Sequence, residues 1–150
     1  MNEVKELPKR AFRLDDQIGH LLRRAYHAAS GHFAQRLKPY RLKPQQFATL
    51  ARLTEMGPTA QTELGARLGM ARANIHVMVE RLKARGLIVT RSDPDDSRRR
   101  IVALSKDGKA LVERLVPLDL ASTEDALAPL DDREREILYR LLRKIEANAP

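Results

Sequence analysis

A tight, highly charged turn, DPDDSRRR at Asp93–Arg100, divides two β-prone segments and restricts the fold more sharply than any other stretch of the chain. Asp side chains bond their own backbone two residues on and Pro fixes φ, so Asp93, Pro94, Asp95 and Asp96 favour a reversal of direction. On either side, Leu87–Thr90 and Ile101–Leu104 carry branched apolar residues that suit a pleated strand. The predicted local object is a two-stranded ribbon with three consecutive arginines, Arg98, Arg99 and Arg100, at its tip. The helix-like segment ANIHVMVERLKARG runs directly into it, and Gly86 stands where that helix stops.

Elsewhere the helical period dominates, so the fold class is mainly α with a small β-wing. From Leu14 to about Leu37, the residues Ile18, Leu21, Leu22, Ala25, Ala29 and Phe33 form one apolar stripe, and Pro39 ends it. Pro44 suits the first turn of a second helix carrying Phe47, Leu50 and Leu53, closed by Met56-Gly57-Pro58. Thr59 is expected to cap a short third helix with Leu64 and Leu68, after which Gly69 fits a left-handed residue. In the fourth helix Ile75, Met78, Val79 and Leu82 fall on the inner side. Ser105 opens a fifth helix through Leu111, Leu115 and Leu120 that Pro117 is expected to bend or interrupt. After a joint at Leu127–Leu130, Asp131 and Glu134 form an acidic capping box for a last helix striped with Leu138, Leu141, Leu142 and Ile145.

This order predicts a single domain over 1–150, with a winged helix-turn-helix core at about 40–105 and dimerisation helices at about 10–38 and 106–148. The terminal stripes exceed what so small a core can cover, which implies a homodimer. A helix followed by an arginine-tipped ribbon offers one element to a DNA major groove and another to the adjacent minor groove. The expected partner is therefore double-stranded DNA.

Charge and composition agree without deciding the matter. The net charge is +8, compatible with any polyanion. There is no cysteine, which excludes disulfide frameworks and thiolate zinc sites. No apolar run approaches a bilayer span and MNEVKELPKR leads into no signal-peptide core, so no membrane partner is expected and a cytoplasmic protein is predicted. The four histidines, His20, His27, His32 and His76, form no H-E-x-x-H arrangement, and neither a G-x-S-x-G nor a phosphate-loop pattern occurs. No enzyme, catalytic residue or cofactor is expected. His32 falls on the apolar stripe and reads as a hydrogen-bonded core histidine.

The stretch from about Phe47 to Gly108 resembles the MarR family of winged-helix transcription regulators. The resemblance lies in TELGARLGMARANIHVMVERLKARGLI at Thr62–Ile88 and in the wing pattern D-x-R-x5-L-S, here Asp96, Arg98, Leu104 and Ser105, followed by Gly108. It implies a homodimer that represses, or less often activates, nearby genes from an inverted-repeat operator and responds to a small ligand. It also places Arg72, Ala73, Asn74, His76 and Val77 on the groove-facing side of the recognition helix. There Asn74 suits an adenine edge, His76 a guanine acceptor, and Ala73 or Val77 a thymine methyl, while Arg72 and Arg81 suit phosphates. Arg98 suits a narrow minor groove, where negative potential is concentrated, and Asp96 would hold the ribbon tip by accepting turn amides. Two positions depart from many relatives, Ala71 where a hydroxyl residue often caps the recognition helix and Val77 where a polar residue is common, and both bear on the operator sequence.

The same resemblance implies a small organic anion as effector, and LDDQIGHLLRRAYHAASGHF is similar to members tied to aromatic or nicotinate-type catabolism. His20, Arg24 and His27 near one helix face, with Tyr40 beyond it, supply donors for an aromatic carboxylate, set against the plainer reading of solvated or dimer-contact residues. The leading expectation is a ligand-responsive, sequence-specific repressor. The alternatives are a metal-responsive regulator, using His20 and His27 seven residues apart, and a nonspecific architectural DNA-binding protein.

Overall fold

A computed structural model describes residues 12–149; the MNEVKELPKR segment and the first residues of the predicted terminal helix lie outside them. Among the described residues the chain runs α1 (Ile18–Leu37), α2 (Pro44–Met56), β1 (Thr59–Ala60), α3 (Gln61–Arg67), α4 (Arg72–Ala84), β2 (Ile88–Ser92), β3 (Arg100–Leu104), α5 (Lys106–Leu127) and α6 (Asp132–Glu146). The mainly helical class with a small β-wing holds.

The core forms where α1, α2, α4, the sheet and α5 converge. Phe33 meets Phe47 edge to face with ring centroids 4.9 Å apart. Leu37, Leu50, Leu64, Ile75, Leu82 and Leu115 are fully buried around them. Arginine side chains tie the elements to one another. Arg36 on α1 reaches Asp125 on α5 at 2.5 Å and the Ser122 hydroxyl at 3.1 Å, and Arg85 at the end of α4 donates to the Arg41 and Tyr40 carbonyls at 2.8 Å each.

Several local expectations are corrected. Leu14–Asp16 form a separate 3-10 turn and Gln17 is extended, so α1 begins only at Ile18. Thr59 does not cap α3: it lies in β1, paired with Val102, and the residue at the cap position is Ala60. The predicted two-stranded ribbon is thus the outer part of a three-stranded antiparallel sheet of order β1-β3-β2. Pro117 does not interrupt α5, which continues through it to Leu127; packing along α1 and α2 offsets the missing amide bond. His32 is exposed, not in the core. One step of the helix separates it from Phe33, the stripe residue that is buried.

The L-S-x-x-G part of the wing pattern has a structural cause. The Ser105 hydroxyl donates to the Gly86 carbonyl at 2.6 Å and accepts the Gly108 amide at 3.0 Å, capping α5 and pinning it to the end of α4. Gly108 lies so close to the backbone that a Cβ there would sit 2.0 Å from the Leu87 carbonyl oxygen. That same oxygen accepts the Ser105 amide at 3.1 Å. A side-chain-free residue is required at this crossing. The two turns predicted from glycine are also present, with Gly69 and Gly86 at φ 64° and 70°.

The terminal helices stay largely uncovered within one chain. Ile18 on α1 and Leu120 on α5 are each 62% exposed and Ile145 on α6 is 50% exposed, and no residue of α6 is buried. The Asp131–Glu134 capping box is formed, with reciprocal amide bonds of 2.8 and 2.9 Å.

Candidate nucleic-acid interface and adjoining cavity

Helix α4 turns Ile75, Val79 and Leu82 into the core, which leaves Arg72, Ala73, Asn74, His76, Val77 and Arg81 exposed. The helix starts after Ala71, whose methyl side chain cannot accept an amide, so its first N–H groups carry no side-chain cap. A donor-rich helix end and a run of groove-sized side chains therefore share one surface.

The wing lies beside that surface. Its tip is shaped by aspartates: Asp96 accepts the Arg98 amide at 3.0 Å, and Asp93 accepts the Asp95 amide at 3.0 Å. Asp93 also faces Arg99 across 3.5 Å. Arg98 is exposed and, among the described residues, joins no ion pair. Arg100 differs from both neighbours. It is the first residue of β3 rather than part of the tip, and its guanidinium points back to Glu80 on α4 at 2.5 Å.

Clefts flank the wing on both sides. One, of about 530 Å³, is bounded by Gln61, Thr62, Arg72 and the wing arginines; the other, of about 400 Å³, by Lys83, Thr90, Arg91 and Ser92 with the same arginines. Gln61, Thr62, Lys83 and Arg91 had not been singled out from sequence. Ending the first ribbon strand at Thr90 concealed Arg91, which β2 in fact carries next to the turn.

A separate cavity of about 560 Å³ opens where α1, α2, α5 and α6 meet, walled by apolar residues including Phe33, Phe47, Leu68 and Leu138. Its size suits a small organic molecule. None of His20, Arg24, His27 and Tyr40 lines it. His20 and Arg24 instead converge on the Asp15 carboxylate, at 3.8 and 3.2 Å, and His27 sets its ring edgewise to Tyr26 at 5.6 Å. Tyr40 packs against the core. Among the described residues no cluster of His, Asp or Glu could hold a metal ion.

The polar groups on the cavity wall are others. Arg52 pairs with Glu55, yet its Nε–H is buried without a partner among the described residues. Asp119 projects from α5 into the same wall, and burial holds its carboxyl above the usual carboxylate range. Leu68, on that wall too, is the C-cap residue of α3, just before the left-handed Gly69 and the turn into α4.

An exposed recognition helix, a three-stranded wing and flanking helices that pack beneath them define a winged helix-turn-helix regulator. Residues 42–99 match the MarR family. Over 130 residues, 87% of this chain and 82% of the relative, the sequence is 38% identical to the HTH-type transcriptional repressor NicR of Pseudomonas putida. A probable transcriptional regulator from Pseudomonas aeruginosa superposes with a TM-score of 0.83 at 44% identity, covering 89% of this chain and 99% of that one. Bordetella bronchiseptica BpsR, whose DNA binding is regulated by 6-hydroxynicotinic acid, superposes with a TM-score of 0.86 at 34% identity, covering 94% of this chain and all of that one. The chain belongs to the MarR family of transcriptional regulators. No helix among its described residues is long and apolar enough to cross a membrane.

Proposed function

We propose that this protein is a homodimeric repressor that reads an inverted-repeat operator and leaves it on binding a small aromatic carboxylate. The observation that carries the DNA reading is the exposed N-terminal half of α4 beside Arg98, which joins no ion pair among the described residues. Asn74 and His76 read base edges, Ala73 and Val77 meet thymine methyls, Arg72 and Arg81 hold phosphates, and Arg98 enters the minor groove with Arg99 near the backbone. The uncovered apolar faces of α1, α5 and α6 support a two-fold dimer, which sets two recognition helices at half-sites about one helical turn apart.

The cavity supports the ligand reading, and so does the likeness to BpsR, whose effector is an aromatic carboxylate. Arg52 offers its guanidinium to the carboxylate from the cavity wall, and Asp119 accepts a ring hydroxyl or N–H there. A ligand that favours the spacing of recognition helices unsuited to DNA shifts the population off the operator; equal affinity for both states shifts nothing.

The test combines footprinting with salt-dependent titration of operator and scrambled duplexes. Asn74→Ala is expected to relax preference at one base position by about 1–3 kcal/mol, and Arg98→Ala to weaken binding to every duplex. Equal coating of any duplex by the wild type would instead mark a nonspecific architectural protein. Hydroxynicotinates, hydroxybenzoates and cinnamates are then titrated for release, with Arg52→Ala expected to lose the response. Release by a divalent metal and by none of these compounds would point to metal sensing.

A further inference from the structure

Arg100 stands apart from the other wing arginines because its guanidinium is engaged by α3, α4 and β2 rather than by the turn. Its side chain is 28% exposed and pairs with Glu80 of α4 at 2.5 Å. The same guanidinium donates to Gln61 at the start of α3 at 3.4 Å and to Thr90 of β2 at 3.3 Å. Arg100 itself begins β3, opposite Ser92, so it occupies the outermost rung of the ribbon. Beyond that rung only the Asp93–Arg99 turn remains, and below it β1 pairs with β3 only at Ile101 and Val102. A single planar fork thus ties the free end of the ribbon to both helices of the helix-turn-helix.

We propose that Arg100 is a positioning residue, the clamp that fixes the angle of the wing against the recognition helix, and that it holds no DNA phosphate. The inference rests on the DNA-binding role given to α4 and the wing. Two further features fit it. Without Arg100, Glu80 would place a bare carboxylate on the helix that faces a polyanion, and with it that charge is neutralised. The hydrogen bond from Arg100 also holds the Glu80 carboxyl below its ordinary range, so the pair is in its charged form.

The experiment measures operator affinity of the full-length protein over a range of salt for wild type, Arg100→Gln, Glu80→Gln and the exchanged pair Glu80→Arg with Arg100→Glu. The clamp predicts that each single variant weakens binding by about three- to tenfold, the worth of one typical intramolecular hydrogen bond. It also predicts that the salt slope stays at the wild-type value and that the exchanged pair regains most of the affinity. A phosphate contact predicts otherwise. Losing one would flatten the slope by about 0.9, and Glu80→Gln would tighten binding by removing a repulsive charge. A flattened slope in Arg100→Gln, or tighter binding by Glu80→Gln, overturns the clamp while leaving the DNA reading intact. Absence of salt-dependent binding by the wild type overturns both. Circular dichroism of each variant confirms folding, and Arg100→Lys, which keeps the charge but loses the fork, must also weaken binding at unchanged slope.

Discussion

Replacing Gly108 with alanine should destabilise the protein even though alanine is the better helix former. The new Cβ would lie 2.0 Å from the Leu87 carbonyl oxygen, 3.0 Å from its carbon and 3.3 Å from Leu104 Cδ2. The nearest obstacle is backbone and is held by the Ser105 amide, so α5 must move away by about 1 Å or more, the gap to a tolerable contact. Overpacking of this kind costs about 1–3 kcal/mol, and a loosened Ser105 cap adds about 1 kcal/mol. The helix-propensity gain of alanine over glycine offsets about 1 kcal/mol. The net is about 2 kcal/mol of lost stability, or roughly 4–8 °C in Tm for a chain of this size. Gly31 in α1 provides the control, because a Cβ there meets nothing within 4 Å. Thermal melts at one fixed protein concentration compare the two variants, since dimerisation would make Tm concentration-dependent. A Gly108→Ala protein as stable as Gly31→Ala would refute the reasoning.

Two other outcomes are expected. Leu141→Glu should convert a dimer into monomer or aggregate, because it sets a charge on the uncovered apolar face of α6; sedimentation of wild type and variant checks this, and an unchanged dimer would remove α6 from the interface. Asp119→Asn should stabilise the protein near pH 7 and change little near pH 3. Its raised pKa means that the folded state holds the proton more tightly, so stability falls as pH rises from 3.8 through the raised value and stays lower above it. Denaturation midpoints of wild type and Asp119→Asn across that range should diverge upward in pH; parallel curves would show that the carboxylate is not penalised by its site.

The elements visible in sequence were those written in local signals. Asp131 and Glu134 sit three apart and satisfy each other's amides, so the start of α6 needed nothing from the rest of the fold. The inner face of α4 followed from its period in the same way. Thr59 gave no such signal, because a two-residue strand exists only through its pairing with Val102, far along the chain. His32 shows how coarse a stripe is: periodicity identifies an apolar side about a third of the helix wide, and tertiary packing chooses which edge is covered. Arg100 is indistinguishable from its neighbours in the charge run, and only the fold brings Glu80 beside it. The cavity was hidden for a related reason, since the wall that holds Arg52 and Glu55 is completed by α5 and α6, far along the chain.

Leu68 belongs to two surfaces at once. It closes one side of the cavity, and it is the residue from which the chain swings through Gly69 into Arg72 and α4. A molecule filling the cavity would press on the turn of the helix-turn-helix itself, so the message would travel only the four residues from Leu68 to Arg72. On the proposed ligand reading, the mechanical requirement on an effector is bulk at the Leu68 end, and chemically similar compounds should differ as inducers according to how far they reach towards it.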